Sequence, residues 1–191
     1  MTAYTVNLNP LVEMTDEQFY WLCRANPDLK LERNSQGELI IMSPTGGETG
    51  NRNSEIGADL VFWNRRTKLG KVFDSSTCFK LPNGGNRSPD VAWVRQDSWD
   101  ALTAEQKEKF PPLAPDFVLE LMSPTDILTE TQAKIREYMT SGVKLGWLIH
   151  RQTRTVEIYR LGHEVETLES PTTLSGEDVM PGFVLELQSV W

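Results

Sequence analysis

Five of the six residues are apolar in one short segment in the middle of the chain, residues 117–122, which reads FVLELM. Pro115-Asp116 precedes this run and Ser123-Pro124 follows it. A short apolar run between turn residues is typical of a strand that is buried on both faces. Glu120 lies in the middle of the run, and a carboxylate is costly to bury unless a cation meets it. The pattern therefore predicts a buried strand whose single acid has a cationic partner.

A second apolar run, residues 88–94 (SPDVAWV), predicts another strand, with Asp90 at its start. Pairing of the two strands in one sheet would bring Asp90 and Glu120 together. The segment that follows Glu120, residues 128–141, has the pattern of a helix and carries Lys134. Two carboxylates and a lysine that converge at a sheet edge are typical of a site for a divalent cation and a polarised water.

Two helices are predicted upstream of these strands. Thr15, followed by two acids, marks the start of the first helix, which extends to about Ala25. The second is predicted over residues 51–68, where apolar residues recur at near-helical spacing, and Gly70 is expected to end it in the left-handed conformation. The glycine-rich residues 43–50 (SPTGGETG) are predicted to be a loop that leads into this helix, because they lack the GK[ST] of a phosphate-binding loop.

The remaining patterns complete the order of elements: helix, strands, long helix, strands, helix, strands. Further strands are predicted at 29–33, 38–43, 71–74, 77–81, 144–150, 155–160, 164–168 and 184–187, and a short helix is predicted near 103–109. This order predicts a mixed α/β sheet flanked by helices, and the late antiparallel additions move the class towards α+β. At 191 residues the chain fits one domain. We expect that domain to span residues 1–191, with 1–37 as an N-terminal helix and hairpin extension.

Composition narrows the function classes only slightly. The net charge of −8 argues against the basic surface usual in nucleic-acid binders, although a local basic groove stays compatible with it. Cys23 and Cys78 lack a CxxC pattern, so they predict no disulfide or zinc framework but two thiols in a reducing compartment. The sequence shows neither an apolar run of membrane-spanning length nor a targeting signal at its N-terminus. We therefore expect a soluble, cytoplasmic protein without a membrane partner.

The motif order resembles one known family. The motifs are SPDVAWV, PDFVLELMSPTD, Lys134-x-x-x-Tyr138, GVKLGWLIH and VEIYR. From about Leu39 to the C-terminus they resemble the Uma-two family of restriction-endonuclease-like proteins, in the PD-(D/E)xK nuclease superfamily. The resemblance implies a restriction-endonuclease-like core with the site on one edge of its sheet. It also implies a homodimeric endonuclease that hydrolyses phosphodiester bonds of DNA with Mg²⁺ or Mn²⁺.

The resemblance also assigns the main site residues. Asp90 matches the aspartate of the PD half-motif, and Glu120 matches the acid of the second half-motif. The lysine expected two places after Glu120 is missing, because that position is Met122. Lys134 matches a lysine on the following helix that takes its place in this family.

Two further assignments and a role for Lys134 follow from the same resemblance. The carbonyl of Leu121 is the expected third protein ligand of the metal. Glu55 lies on the helix where many superfamily members carry a further acid near the metal. Lys134 would orient the attacking water or stabilise charge on the scissile phosphate.

Other interpretations of the same residues stay open. Asp90 could simply be the turn residue after Pro89, and Glu120 could pair with Lys134 in a buried salt bridge without any metal. The missing ExK lysine and the acidic net charge favour a second hypothesis, a catalytically silent binding or assembly module that keeps the nuclease fold. A glycoside hydrolase with two carboxylates would need a sugar cleft lined by aromatic residues, and the motif order does not support it.

Overall fold

The computed structural model describes residues 3–9 and 11–191. The helices are α1 (Asp16–Ala25), α2 (Gly47–Thr67), α3 (Gln96–Asp100), α4 (Ala104–Glu108) and α5 (Leu128–Thr140). The strands are β1 (Ala3–Val6), β2 (Lys30–Arg33), β3 (Leu39–Met42), β4 (Gly70–Asp74), β5 (Phe79–Lys80), β6 (Asn86–Arg87), β7 (Val91–Arg95), β8 (Phe117–Met122), β9 (Leu145–His150), β10 (Thr155–Arg160), β11 (Glu166–Glu169), β12 (Thr173–Ser175) and β13 (Val184–Glu186).

A six-stranded sheet forms the centre of the fold, in the order β11-β10-β9-β8-β7-β4. β8 and β9 run parallel, whereas the other neighbouring strands of this sheet run antiparallel. All six residues of β8 are buried, which explains why five of them are apolar. The predicted mixed sheet with antiparallel additions is confirmed.

Helices cover both faces of this sheet, and the alternation along β8 assigns each residue to one of them. Phe117, Leu119 and Leu121 belong to the core cluster that α2 completes through Ile56, Leu60 and Trp63. Val118 and Met122 belong to the cluster that α5 completes through Ile135 and Tyr138. Glu120 is two residues from both Val118 and Met122, so it shares their face of the sheet and its carboxylate lies on the α5 side.

A second sheet has five antiparallel strands, in the order β1-β3-β2-β6-β5. Its strands lie within residues 3–87, and it is called the N-terminal sheet below. The N-terminal hairpin β2–β3 thus shares its sheet with two strands from the segment between α2 and β7. α1 packs against this sheet through Phe19, and its cluster also holds Leu31 and Cys78. Cys23 and Cys78 are both free thiols. Within the described ranges, no helix is both long and apolar enough to cross a membrane.

The ends of α2 differ from the sequence prediction. The helix begins at Gly47, so part of the predicted glycine-rich loop is helical. Lys68, not Gly70, ends it in the left-handed conformation, with φ of 57°. Gly70 instead opens β4, where an added Cβ would collide with the carbonyl oxygen of Val94 and the ring of Trp93. The glycine is needed for close approach to the neighbouring strand, not for a helix end.

Candidate functional site

Pairing of β7 with β8 brings the first two predicted acids together. Val91 lies opposite Leu119, and one further step of the antiparallel register places Asp90 opposite Glu120. The backbone N–H of Leu121 donates to Oδ2 of Asp90 at 2.9 Å. The side chain of Asp90 is therefore fixed against β8.

Helix α5 supplies the cation that Glu120 requires. The Lys134 Nζ lies 2.9 Å from Oε1 of Glu120, 3.0 Å from Oε1 of Glu32 and 3.2 Å from the carbonyl oxygen of Ser88. Tyr138, one turn further along α5, donates its hydroxyl to the same Oε1 of Glu120 at 3.1 Å. The predicted convergence of Asp90, Glu120 and Lys134 is present, and the three ammonium protons of Lys134 have three acceptors within reach.

Glu32 on β2 is a site residue that sequence reasoning missed. It is 1% exposed, and its Oε2 accepts from Arg87 Nη1 at 2.9 Å. Its Oε1 accepts from the backbone N–H of Ser88 at 3.0 Å as well as from Lys134. An isolated acid between Leu31 and Arg33 is usually a solvent-facing strand residue, so the pattern carried no signal for this role.

The buried charges shift one another's pKa values. Burial raises the pKa of Glu120 to about 7; Lys134 acts against this rise, whereas Asp90 and Glu32 add to it. Burial also opposes ionisation of Glu32, but Lys134 and Arg87 outweigh it and lower the pKa of Glu32 to about 2. Burial works against the charged form of Lys134, yet Glu120 and Glu32 raise its pKa. Lys134 is therefore a permanent cation, whereas Glu120 titrates near neutral pH.

The network as a whole has an excess of negative charge. Arg87 connects Glu32 to Glu137 on α5, which accepts from Arg87 Nε at 2.9 Å. When all groups are ionised, four carboxylates face two cations, a net charge of −2. These groups are Glu32, Asp90, Glu120, Glu137, Arg87 and Lys134.

The oxygens not used in this network fit a hard divalent cation. Among the described residues, no hydrogen-bond donor reaches Oε2 of Glu120 or Oδ1 of Asp90. A divalent ion between these carboxylates would neutralise the excess of two negative charges. Across residues 3–9 and 11–191, no cluster of three or more Asp, Glu, His or Cys side chains is arranged for a metal. The protein would therefore supply two carboxylates. The third ligand implied by the family resemblance, the carbonyl of Leu121, stays a prediction.

Two cavities border the carboxylate pair, one at both acids and one at Asp90 alone. A cavity of about 510 Å³ lies between the N-terminal sheet and α5, and Glu32, Asp90, Glu120 and Lys134 line it. A second cavity of about 770 Å³ lies between α2 and the turn after β4, and Asp90 lines this one too. Asp90 is thus accessible from two directions.

Glu55 is not brought to this site. Its side chain on α2 is exposed, and it is not among the described residues that line either cavity. Asn53 and Gly57 line the second cavity, and Glu55 lies between them, on another side of the helix. The charge of Glu55 acts instead on Asp59, whose pKa is raised by burial and by Glu55.

A pair of arginines lies beside the mouth of the first cavity. Arg151, directly after β9, donates from Nη1 to Oγ1 of Thr49 at 3.2 Å, and Thr49 lines the cavity. Burial and the nearby charge of Arg52 lower the pKa of Arg151. Arg52 is also paired with Glu48. With Glu48 beside them, the two guanidinium groups form a local positive area of one net charge on an otherwise acidic chain.

Comparisons with known proteins identify a family and a similar fold for this chain. The family model of Uma2 (Uma-two), described as "Putative restriction endonuclease", matches residues 16–188. A search of curated proteins found no match. Among solved structures, a "putative nuclease" belonging to DUF820 from Anabaena variabilis is similar, with a TM-score of 0.71 and 20% sequence identity. The similarity covers 84% of this chain and 88% of that chain, and at this identity it shows the fold alone.

The predicted nuclease fold and family are confirmed by these matches. Restriction-endonuclease-like proteins generally use divalent metals, which agrees with the pair of free carboxylate oxygens at Asp90 and Glu120. Because the family model spans most of its length, the chain belongs to the Uma2 family of restriction-endonuclease-like proteins.

Proposed function

We propose that this protein is a metal-dependent endonuclease that hydrolyses phosphodiester bonds of DNA, with Mg²⁺ or Mn²⁺ at Asp90 and Glu120. The observation that supports this proposal most strongly is the pairing of these two carboxylates at adjoining strands, with Lys134 held against Glu120. Membership of a family described as a restriction endonuclease gives the pair its chemical context.

Asp90 and Glu120 would hold the ion, with the carbonyl of Leu121 as the further protein ligand. When bound, such an ion polarises a phosphoryl group and lowers the pKa of an attacking water. The chain prepares both carboxylates for this role. The N–H of Leu121 holds Oδ2 of Asp90, and Lys134 and Tyr138 together hold Oε1 of Glu120. One oxygen of each carboxylate is thereby oriented while the other stays available.

Lys134 cannot contact the substrate without giving up a present contact, because its three donors already have acceptors. The contact with the carbonyl of Ser88 is the longest of the three and the only one to an uncharged acceptor. A scissile phosphate is a charged acceptor and would compete well for that proton. Lys134 would then stabilise negative charge on the phosphate while it still holds Glu120.

DNA would approach along the local positive area at Arg52 and Arg151. Phosphate contacts need such cations, and the overall charge of −8 gives no general attraction. We also propose a homodimer, because one active centre cuts one strand of a duplex. Light scattering tests this directly: the expected molar mass is twice the 21.7 kDa of one chain, and a mass of one chain contradicts it.

A cleavage assay tests the proposed activity. Purified protein is incubated with duplex, single-stranded and branched DNA in Mg²⁺, Mn²⁺ or EDTA, alongside Asp90→Ala. Asp28→Asn is the matched control, since Asp28 is exposed in the turn before β2. We expect metal-dependent cleavage by the wild type and Asp28→Asn and none by Asp90→Ala. Cleavage retained in folded Asp90→Ala would refute the proposal.

The same assay tests the prediction for Glu55. Its exposed position favours full activity of Glu55→Gln, whereas the family resemblance predicts a loss. The measured rate decides between the two.

A catalytically silent nuclease-fold module is the second candidate. It is favoured by the engagement of all three Lys134 donors and by the lack of a three-acid cluster among the described residues. This candidate predicts that wild type and Asp90→Ala bind a short duplex equally well and that neither cleaves it in any divalent metal. Cleavage that depends on Asp90 would exclude it.

A further inference from the structure

We propose that Glu32 is a positioning residue that fixes Lys134 beside Glu120, so that the hairpin β2–β3 is part of the active centre. Its catalytic consequence rests on the function proposed above, whereas its effect on Lys134 does not. Glu32 lies within residues 1–37, which the sequence predicted to be an extension of the nuclease core.

The hydrogen bonds of Glu32 exclude a direct role as a metal ligand. Its Oε1 forms an ion pair with Lys134 Nζ at 3.0 Å and accepts from the N–H of Ser88 at 3.0 Å, and its Oε2 accepts from Arg87 Nη1 at 2.9 Å. The side chain borders the first cavity but is only 1% exposed, and each of its oxygens already faces a cation. Glu32 can therefore act on the reaction through the groups that it holds.

Lys134 is held between acids from two different sheets. Glu32 belongs to β2 of the N-terminal sheet and Glu120 to β8 of the central sheet, and the ammonium lies within 3.0 Å of an oxygen of each. Ser88 joins the same arrangement: its N–H donates to Glu32 and its carbonyl accepts from Lys134. Since Ser88 precedes Asp90 by two residues, the network also fixes the backbone that leads to Asp90.

A second contact ties the hairpin to the same face of α5. Glu137, one turn beyond Lys134, accepts from the N–H of Ser35 in the hairpin turn at 2.9 Å and from Arg87. An added Cβ at Gly85 would collide with the Glu137 carboxylate, so this ion pair is closely packed. The hairpin thus holds α5 at two successive turns, and a shift of the hairpin would move Lys134.

Glu32→Gln tests the positioning of Lys134 without relying on activity. The side-chain ammonium of Lys134 is observed by ¹⁵N–¹H NMR and assigned by its loss in Lys134→Gln. A buried ammonium with three acceptors exchanges its protons slowly, so we expect a protected signal in the wild type. Glu32→Gln should accelerate this exchange at least about 10-fold, because one charged acceptor is lost. Glu13→Gln, an exposed acid in the same N-terminal part, should leave the exchange unchanged.

Turnover of the same variants gives the catalytic consequence. Partners that orient active-site ligands typically contribute about 10- to 100-fold. We expect kcat of Glu32→Gln to fall within this range with little change in KM, and Glu13→Gln to match the wild type. If Glu32→Gln does not fold, Glu32→Asp replaces it. That variant keeps the charge but retracts the oxygens by one methylene, so it should show the same two changes more weakly.

The outcomes separate this inference from the proposed function. A protected Lys134 signal that survives folded Glu32→Gln with unchanged exchange would overturn the inference, as would an unprotected signal in the wild type. Accelerated exchange with wild-type kcat would overturn the catalytic consequence alone. A wild type without cleavage in any metal would refute the proposed function, and the ammonium exchange would still decide whether Glu32 positions Lys134.

Discussion

The ammonium of Lys134 and the carboxylate of Glu120 lie 2.9 Å apart, although one belongs to α5 and the other to β8. The chain leaves β8, forms α5 and returns as β9, which is parallel to β8. Such a crossover packs its helix back onto the strand that it leaves. A lysine in the middle of α5 can therefore replace a lysine two places after Glu120, where Met122 is buried in the core instead.

The phenol of Tyr138 should contribute to the orientation of Glu120. It is fully buried and donates to Oε1 of Glu120 at 3.1 Å. Tyr138→Phe keeps the ring and removes that donor, so we expect a loss of about 1 kcal/mol in the free energy of unfolding. We also expect kcat to fall by roughly 10-fold, as for other partners that orient active-site ligands.

Urea unfolding and single-substrate kinetics measure both effects. Tyr4→Phe is the matched control, since Tyr4 is 65% exposed. A Tyr138→Phe protein as stable and as active as Tyr4→Phe would show that the hydrogen bond to Glu120 contributes nothing.

Stability should fall with rising pH because of Glu120. Its pKa is about 7 in the folded protein, compared with an ordinary value of 4.5. The folded state therefore binds this proton more tightly than the unfolded state does. The stabilising contribution is fully present below about pH 4.5 and is lost as the pH rises through about 7, a change on the order of 3 kcal/mol.

Urea unfolding of the wild type and Glu120→Gln at pH 5 and pH 8 in EDTA checks this prediction. Glu32 has the opposite effect on stability, which is lost as the pH falls. This loss occurs below pH 5, because the pKa of Glu32 is lowered to about 2. The wild type should lose stability between the two pH values and Glu120→Gln should lose less. Mn²⁺ should restore stability at pH 8 in the wild type alone. Equal pH dependence in both proteins would contradict the pKa of Glu120.

The sequence predicts those parts of the fold whose signals lie in neighbouring residues. The run FVLELM identified β8, and Thr15 followed by two acids marked the start of α1, because burial on both faces and helix capping depend on neighbouring residues. The position of Lys134 over Glu120 was reached through the family resemblance. The structure adds its physical reason, the crossover between two parallel strands.

Glu32 could not be predicted in the same way, because its role depends on the contact between two sheets. Nothing near Leu31 and Arg33 shows that Arg87 and Lys134 will meet this acid. Likewise, β6, α3 and β12 were missed because they have only two, five and three residues, and β1 was missed for another reason. All four residues of β1 are exposed, so it has no alternation of apolar and polar positions to detect.

Arg151 should contribute to DNA binding rather than to the chemical step. Arg151→Ala removes one guanidinium beside the cavity that Thr49 lines. We expect KM for duplex DNA to rise several-fold with kcat unchanged, and the slope of log affinity against log salt to fall by about 1. Arg24→Ala, an exposed arginine on α1, is the control. An unchanged salt slope in Arg151→Ala would place the DNA elsewhere.

The most direct test of the account is Mn²⁺ binding, measured by calorimetry on the wild type, Asp90→Asn and Glu120→Gln, with a short duplex present in each case. Both substitutions keep the shape of the side chain and remove its charge, and Asp28→Asn serves as the control for loss of one exposed acid. We predict that the wild type and Asp28→Asn bind Mn²⁺ and that neither site variant does. Undiminished binding by either folded site variant, or none by the wild type, would contradict a metal centre between Asp90 and Glu120.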